Sequence, residues 1–377
     1  MRSTERSEPR KGAAALAATP KGRKILITQH QPKVEALQNI MSKIKFAVVG
    51  CGHIGKRHAE MIVRNPEAEL LALVDVKPKS ELGIEAYEVP FFSSIEDLLA
   101  SPQGTEVEVV SIASPNGYHA EQAIKALAEK KHVLVEKPLA LTKKEAEKII
   151  HKALQVHKHV FAVMQNRYSP PSIWIKDLVE SGLLGEIYMV QLNCYWNRDH
   201  RYYSTASWHG KKELDGGVLF TQFSHFIDLI YWLFGDVENI KSKFMNFNHQ
   251  HLTEFVEDSG LVHFNFVNGG VGSINFSTSV WDKNLESSMT ILAENGSIKI
   301  GGQYMDKVEY CHVKNYEMPN LPPTNPENNY GPYKGSAANH HFIIENVVDV
   351  LKNRANITTN VLEGLKVVEI IEKIYGN

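Results

Sequence analysis

The chain has 377 residues, 43% of them apolar and 22% charged, with a formal net charge of −2. That length allows two domains and a large core, and the near-neutral balance excludes a bulk field drawing the protein to nucleic acid or a membrane surface. Three cysteines, Cys51, Cys194 and Cys311, lie far apart in no metal-binding spacing, which excludes a disulfide framework and fits a reducing, cytoplasmic setting; no apolar run approaches the ~20 residues of a membrane-spanning helix.

Residues 1–42 differ from the rest. Arg2, Arg6, Arg10, Lys11, Lys21, Arg23 and Lys24 surround a short Ala-rich patch too weak for a secretory segment, and Glu5 and Glu8 count against an organellar transit peptide. We expect a disordered or non-native extension. From Ile44, apolar runs at 44–50, 69–76, 107–113, 132–136 and 159–164 alternate with helical patterns at 53–64, 94–100, 118–130 and 142–156. Strands separated by helices imply a parallel sheet with right-handed crossovers. After about residue 165 the character changes. Pro170-Pro171 precedes a helix over 172–182. Strand-like segments follow at 186–196, 237–248, 259–267, 270–278, 287–293, 296–301 and 307–313, with hairpin turns at Asn268-Gly269-Gly270 and Glu294-Asn295-Gly296. Helices are expected at about 217–234, 336–353 and 361–375, and residues 318–335 read as a long loop. The fold class is α/β: a Rossmann-type dinucleotide-binding domain over 43–164, then an α+β domain with a mostly antiparallel sheet over 165–377.

The first strand runs into Gly50-x-Gly52-x-x-Gly55. The first glycine permits a tight turn, the second a close approach to pyrophosphate, and the third close strand–helix packing, with the anion at the helix N-terminus. Leu70-Leu71-Ala72-Leu73-Val74-Asp75 follows about 20 residues on and ends in an acid suited to an adenosine ribose. The strand over 107–113 stops at Ser114-Pro115-Asn116, opening a loop at the edge where doubly wound sheets bind ligands. The next strand delivers Glu136-Lys137-Pro138 to the same edge, and Pro138 makes Lys137–Pro138 a candidate cis bond.

In Leu214-Asp215-Gly216-Gly217…Thr221-Gln222-x-x-His225-x-x-Asp228, a helix would place Thr221, His225 and Asp228 on one face. The His225 imidazole suits a base at neutral pH, which Asp228 would orient unless it pairs elsewhere. The loop Tyr195-Trp196-Asn197-Arg198-Asp199-His200-Arg201-Tyr202-Tyr203, with Trp208-His209-Gly210, mixes cations with aromatic rings and suggests an anionic, ring-bearing ligand. The same mixture suits single-stranded nucleic acid, but the overall charge is negative and no such module is visible. His249-Gln250-His251 and His340-His341 lack further ligands at metal spacing, so no metal is expected.

With Gly50-x-Gly52-x-x-Gly55, Ser114-Pro115-Asn116-x-x-His119, Glu136-Lys137-Pro138 and Gly216-Gly217…His225-x-x-Asp228 in order, the chain from about residue 44 onward resembles the glucose–fructose oxidoreductase / inositol dehydrogenase / MocA family. Gln165-Asn166-Arg167-Tyr168, Tyr202-Tyr203…Trp208-x-Gly210, Leu214-Asp215-Gly216-Gly217 and the stretch Thr290–Gly302 resemble its branch that oxidises UDP-N-acetylglucosaminuronic acid at the 3-hydroxyl. The resemblance implies an open antiparallel sheet in the second domain and a homodimer or homotetramer paired through it. It also implies Lys137 and His225 at the reacting hydroxyl, and a nicotinamide cofactor held by Gly50, Gly52, His53, Ile54, Gly55, Asp75, Ser114, Asn116, His119, Glu136 and Gln165. Candidate substrate residues are Arg167, Tyr168, Trp196, Arg198, Tyr203, Trp208, Thr221 and Gln222. Three positions depart from the pattern. Thr221 stands where inositol dehydrogenase-like members have Asp and the nucleotide-sugar branch Asn, Met164 where Lys is expected, and His209 where Arg is expected. The expectation is an NAD-dependent sugar dehydrogenase acting on a small molecule, most concretely on C3 of a UDP-linked N-acetyl-hexuronic acid for surface polysaccharide. The alternatives are a dehydrogenase of free sugar or inositol and a non-catalytic dinucleotide-binding regulator. Asp75 favours NAD over NADP by repelling a 2′-phosphate.

Overall fold

In the computed structural model, which describes residues 42–204, 208–250, 252, 257–331 and 333–376, the first half of the chain builds a six-stranded parallel sheet. Its strands are β1 Ile44–Val49, β2 Ala68–Val74, β3 Phe91–Phe92, β4 Val109–Ile112, β5 His132–Val135 and β6 Val160–Ala162, in the order β3-β2-β1-β4-β5-β6. This is the doubly wound order, with the switch point between β1 and β4. Helices α1 His53–Arg64, α2 Ile95–Ala100, α3 His119–Ala128 and α4 Lys143–Val156 fill the crossovers. A capping box between Thr142 and Glu145 fixes the start of α4. The two-residue edge strand β3 was too short to be legible as a hydrophobic run. The expectation for residues 1–42 lies, apart from Ser42, outside the described residues.

Alternation along β1 divides the core. Ala47 and Val49 face a cluster with Leu98 of α2, Leu127 of α3 and Ile149 of α4. Phe46 and Val48 face the opposite side with Ala59 and Ile62 of α1. That second side is completed from far down the chain: Ile343, Ile344, Val347 and Val348 of α7 (His340–Leu351) pack there. A helix beyond residue 165 therefore covers the first sheet.

The second half builds a seven-stranded sheet from β7 Ile187–Tyr195, β8 Val237–Met245, β9 Ser259–Phe266, β10 Val271–Ser277, β11 Glu286–Ala293, β12 Gly296–Gly301 and β13 Lys307–Val313. Its order is β13-β12-β11-β7-β10-β9-β8, and only β7 and β10 run parallel. Helices α5 Pro170–Glu180, α6 Ser224–Phe234 and α8 Val361–Tyr375 accompany it. Three expectations shift. Helix α5 begins at Pro170, because a proline costs nothing in the first helical turn. The helix expected over 217–234 opens as a π-helical turn, Leu219–Phe223, before α6. Within the expected loop, β14 Glu327–Asn329 pairs with β15 Lys334–Ala337, so α7 starts at His340.

Candidate active site

A cavity of about 790 Å³ opens at the carboxyl edge of the parallel sheet and extends towards the start of α6. Gly50 has φ +86°, and a Cβ there would lie 2.5 Å from the Ser114 nitrogen. A Cβ on Gly55 would lie 1.7 Å from the Gly50 carbonyl oxygen, so α1 sits directly on the loop. A Cβ on Gly52 would meet nothing within 4 Å, because that glycine faces open space. Gly52 is the N-cap of α1 and no side chain caps the helix, leaving its first amides for an anion. Asp75 Oδ2 accepts from the Cys51 amide at 2.7 Å, tying the end of β2 to the glycine loop. Gln165 Oε1 is buried at the cavity with no hydrogen-bond partner. An open cradle at Gly52, uncapped amides, an acid beside them and an unspent acceptor fit a nicotinamide dinucleotide. His53, Ile54, Ser114 and Asn116 line the same cavity.

The Lys137–Pro138 bond is cis. Lys137 Nζ donates to the Thr221 carbonyl at 2.5 Å. Burial lowers its ammonium from the ordinary lysine range, Arg198 adds to this, and Glu136 and Asp215 oppose it. Glu136 Oε1 lies 2.9 Å from His58 Nε2 and 3.3 Å from His340 Nε2. Burial opposes ionisation of Glu136, yet the bonds from His340 and His58 outweigh it and hold the carboxyl well below the usual range. Among the described residues this trio is the one cluster with metal-ligand chemistry, and hydrogen bonding within it accounts for the arrangement. His119 is buried between the carbonyls of Pro138 and Ser114, at 2.7 and 2.8 Å, and burial favours the neutral ring, whose single N–H can donate to one of the two turns around Lys137.

His225 lines the cavity, and burial with the neighbouring Lys137 holds its imidazole well below 6.5, so the ring is neutral. Asp228 does not orient it. Both Asp228 oxygens accept from Arg167, at 2.8 and 2.6 Å, and His225 Nδ1 has no hydrogen-bond partner. The π turn changes the spacing between Thr221 and His225, whereas His225 and Asp228 both lie in regular α6 and are separated by the pairing of Asp228 with Arg167. Arg167 also reaches Glu363 at 2.8 Å; it locks α6 to α8 and does not line the cavity. Tyr168 stacks on Phe342, and Tyr203 packs against Tyr202 and His249; neither lines the cavity.

Arg198 does line it, 2% exposed. Its guanidinium donates to Gln222 Oε1, the Asn197 carbonyl, Asn284 Oδ1 and the Lys334 carbonyl. It lies 4.7 Å from the Trp196 ring centroid and 5.0 Å from that of Tyr333. Among the described residues no carboxylate lies within 4.0 Å of it. Trp208 and His209 complete that wall. The His209 ring stacks on Tyr202 at 4.0 Å, and burial pushes its imidazole down to about 4, so no cation replaces the expected Arg at neutral pH. Met164 is packed in the core.

Sequence reasoning missed several wall residues. Tyr330 and Tyr333 lie in the expected loop, where irregular backbone hides a period, Ser336 lies in β15 where a helix was expected, and His340 was weighed only as a metal ligand. His58 was legible as a polar residue on the inner face of α1.

Two family models match the chain: the oxidoreductase family with an NAD-binding Rossmann fold over residues 44–164, and the GFO/IDH/MocA C-terminal domain over 173–299. The chain belongs to the GFO/IDH/MocA oxidoreductase family. NAD is its cofactor. Its structure is similar to that of the WlbA dehydrogenase from Bordetella pertussis, crystallised with NADH and UDP-GlcNAcA, at 31% identity and TM-score 0.77 over 89% of this chain and 96% of that one. The WlbA dehydrogenase from Chromobacterium violaceum, in complex with the same two ligands, is 29% identical with TM-score 0.78, covering 88% and 93%. An inositol 2-dehydrogenase from Rubrobacter xylanophilus is 28% identical over 267 residues, 68% of this chain and 71% of the relative. Among the described residues no helix is long and apolar enough to cross a membrane.

Proposed function

We propose that this oxidoreductase removes hydride from C3 of a UDP-linked N-acetyl-hexuronic acid, with NAD rather than NADP. The observation that carries this reading is Arg198. An unpaired cation in a protein interior is costly, and its neutral acceptors and aromatic neighbours leave its charge uncompensated. A substrate carboxylate would compensate it. The neighbours crystallised with UDP-GlcNAcA support that choice. Asp75, whose carboxylate already accepts from the Cys51 amide, supports NAD by repelling a 2′-phosphate.

When bound, the cofactor supplies a hydride acceptor at its nicotinamide ring. The protein must then hold the sugar and remove the hydroxyl proton as the carbonyl forms. The neutral His225 ring and Lys137 Nζ, on facing elements of the cavity, are the groups that take that proton. Glu136, fixed by His58 and His340, sets the start of the turn carrying Lys137. We read the protein as a cytoplasmic homo-oligomer, supported by free cysteines and an exposed apolar sheet face.

The second reading, a dehydrogenase of free sugar or inositol, is favoured by Met164 and His209, which carry no charge at two places where cations were expected. A panel of UDP-sugars, their uronic acids, free sugars and inositols, followed by nicotinamide absorbance, separates the two. Reduction of NAD with the UDP-uronate is expected; turnover of inositol with none of the UDP-uronate overturns the first reading.

A further inference from the structure

Asp215 was read only as part of a motif, yet it lies at the centre of the contacts around Lys137. It is 2% exposed. Its Oδ1 accepts from the Thr221 hydroxyl at 2.5 Å and the Gly217 amide at 3.2 Å, and its Oδ2 accepts from the Gly210 amide at 2.9 Å. Its backbone carbonyl accepts from Asn116 Nδ2 at 2.8 Å, and Asn116 also donates to Thr221 Oγ1 at 3.0 Å. Thr221 thus has its hydroxyl on Asp215 and its carbonyl on Lys137 Nζ. Asn116 comes from the loop after β4, Lys137 from the turn after β5, and Thr221 from the π turn before α6. Asp215 links all three, its carboxylate holding Thr221, its backbone carbonyl holding Asn116, and the Thr221 carbonyl in turn holding Lys137. Among the described residues no cation forms an ion pair with it.

We propose that Asp215 is a positioning residue for Lys137: through Thr221 it fixes the carbonyl that holds Nζ, and its carboxylate joins Glu136 as one of two negative charges facing that nitrogen. The proposal rests on the reading that places Lys137 at the reacting hydroxyl. It also gives a role to Thr221, which stands where inositol dehydrogenase-like members carry Asp: a carboxylate is delivered from Asp215, one step back, and the threonine hydroxyl transmits its position.

The electrostatics agree with the geometry. Burial pushes the Asp215 carboxyl up to about 6, against the bonds from Thr221, Gly210 and Gly217 and the charge of Lys137. The other titratable groups in its field are Tyr202, Tyr203, Glu257 and Tyr375, and all four are themselves raised, chiefly by burial. Lys137 in turn faces Glu136, Arg198 and His225. Glu257 is pushed up to about 7, but Asp215, and not Glu257, acts directly on Lys137.

The test reads Lys137 directly. Wild type and Asp215→Asn are labelled with acetic anhydride across a pH series, and acetylation of Lys137 is followed by peptide mass spectrometry; NADH fluorescence checks that each protein is folded. Removing a negative charge disfavours the ammonium, so the variant's Lys137 titration should move down by about one pH unit, with NADH affinity retained. An unchanged titration overturns the proposal. If Asp215→Asn does not bind NADH, the wild-type curve decides: Lys137 reactivity should depart from a single titration near the point where Asp215 ionises, and a single clean titration contradicts the claim. A second arm measures oxidation of the UDP-uronate, where kcat should fall about tenfold in Asp215→Asn as Lys137 loses its position. The labelling arm contains no sugar, so a wrong substrate leaves it intact.

Discussion

Lys137 and Arg198 are both cations buried at one cavity, and the protein treats them differently. Lys137 has a carbonyl at 2.5 Å and two acids in its field. Arg198 has neutral acceptors and ring faces. The first arrangement holds a proton-handling group in place; the second leaves a charge for the ligand to answer. His225 is kept neutral by burial and Lys137, so it can accept a proton at neutral pH without first losing one. Lys137→Met and His225→Asn should each lower kcat by about 10²–10⁴-fold, while the NADH dissociation constant measured by fluorescence stays within a few fold. A variant that lost NADH binding in step with activity would show a structural role instead.

At the scale of elements, the β1–α1 turn makes a sharp contrast between two glycines. Gly55→Ala forces a Cβ against the Gly50 carbonyl and should cost about 1–3 kcal/mol of stability as overpacking does. Gly52→Ala meets no atom and has an ordinary φ of −68°, so its melting temperature should stay near wild type while NADH binding weakens about tenfold or more. Thermal melts and NADH titrations of both variants check this; equal loss of stability would contradict it. The turn, the strand ending at Asp75 and Glu136-Lys137-Pro138 were legible because each depends on local residue chemistry. The role of Asp228 was not, because its partner Arg167 lies 61 residues earlier in the chain and no local pattern announces that pairing. Arg167 was misplaced for a related reason: its partners Asp228 and Glu363 lie far along the chain, and only packing unites them. Asp215 was hidden because its backbone and side chain act together, and a motif records only the side chain.

At the scale of the molecule, α7 crosses back to cover the first sheet, so one end of the chain supplies both that cover and the His340 that fixes Glu136. The seven-stranded sheet buries one face under helices and leaves Met189, Val271 and Leu292 exposed on the other, where the strand register sets them side by side. Such a row is the surface through which the proposed homo-oligomer would pair. Met189→Lys with Val271→Lys should dissociate the homo-oligomer, as read by light scattering after size exclusion, without altering NADH affinity; a wild-type protein that is already monomeric would exclude this surface as the interface. Binding at the cavity joins both sheets, and the central claim is that Arg198 selects a carboxylate there. The most direct measurement is the ratio of kcat/KM for UDP-N-acetylglucosaminuronate to that for UDP-N-acetylglucosamine, in wild type and in Arg198→Gln. The wild type should prefer the uronate, and Arg198→Gln should reduce that preference by about 10²-fold. A wild type that turns over the two sugars equally, or a variant that keeps the full preference, would contradict it.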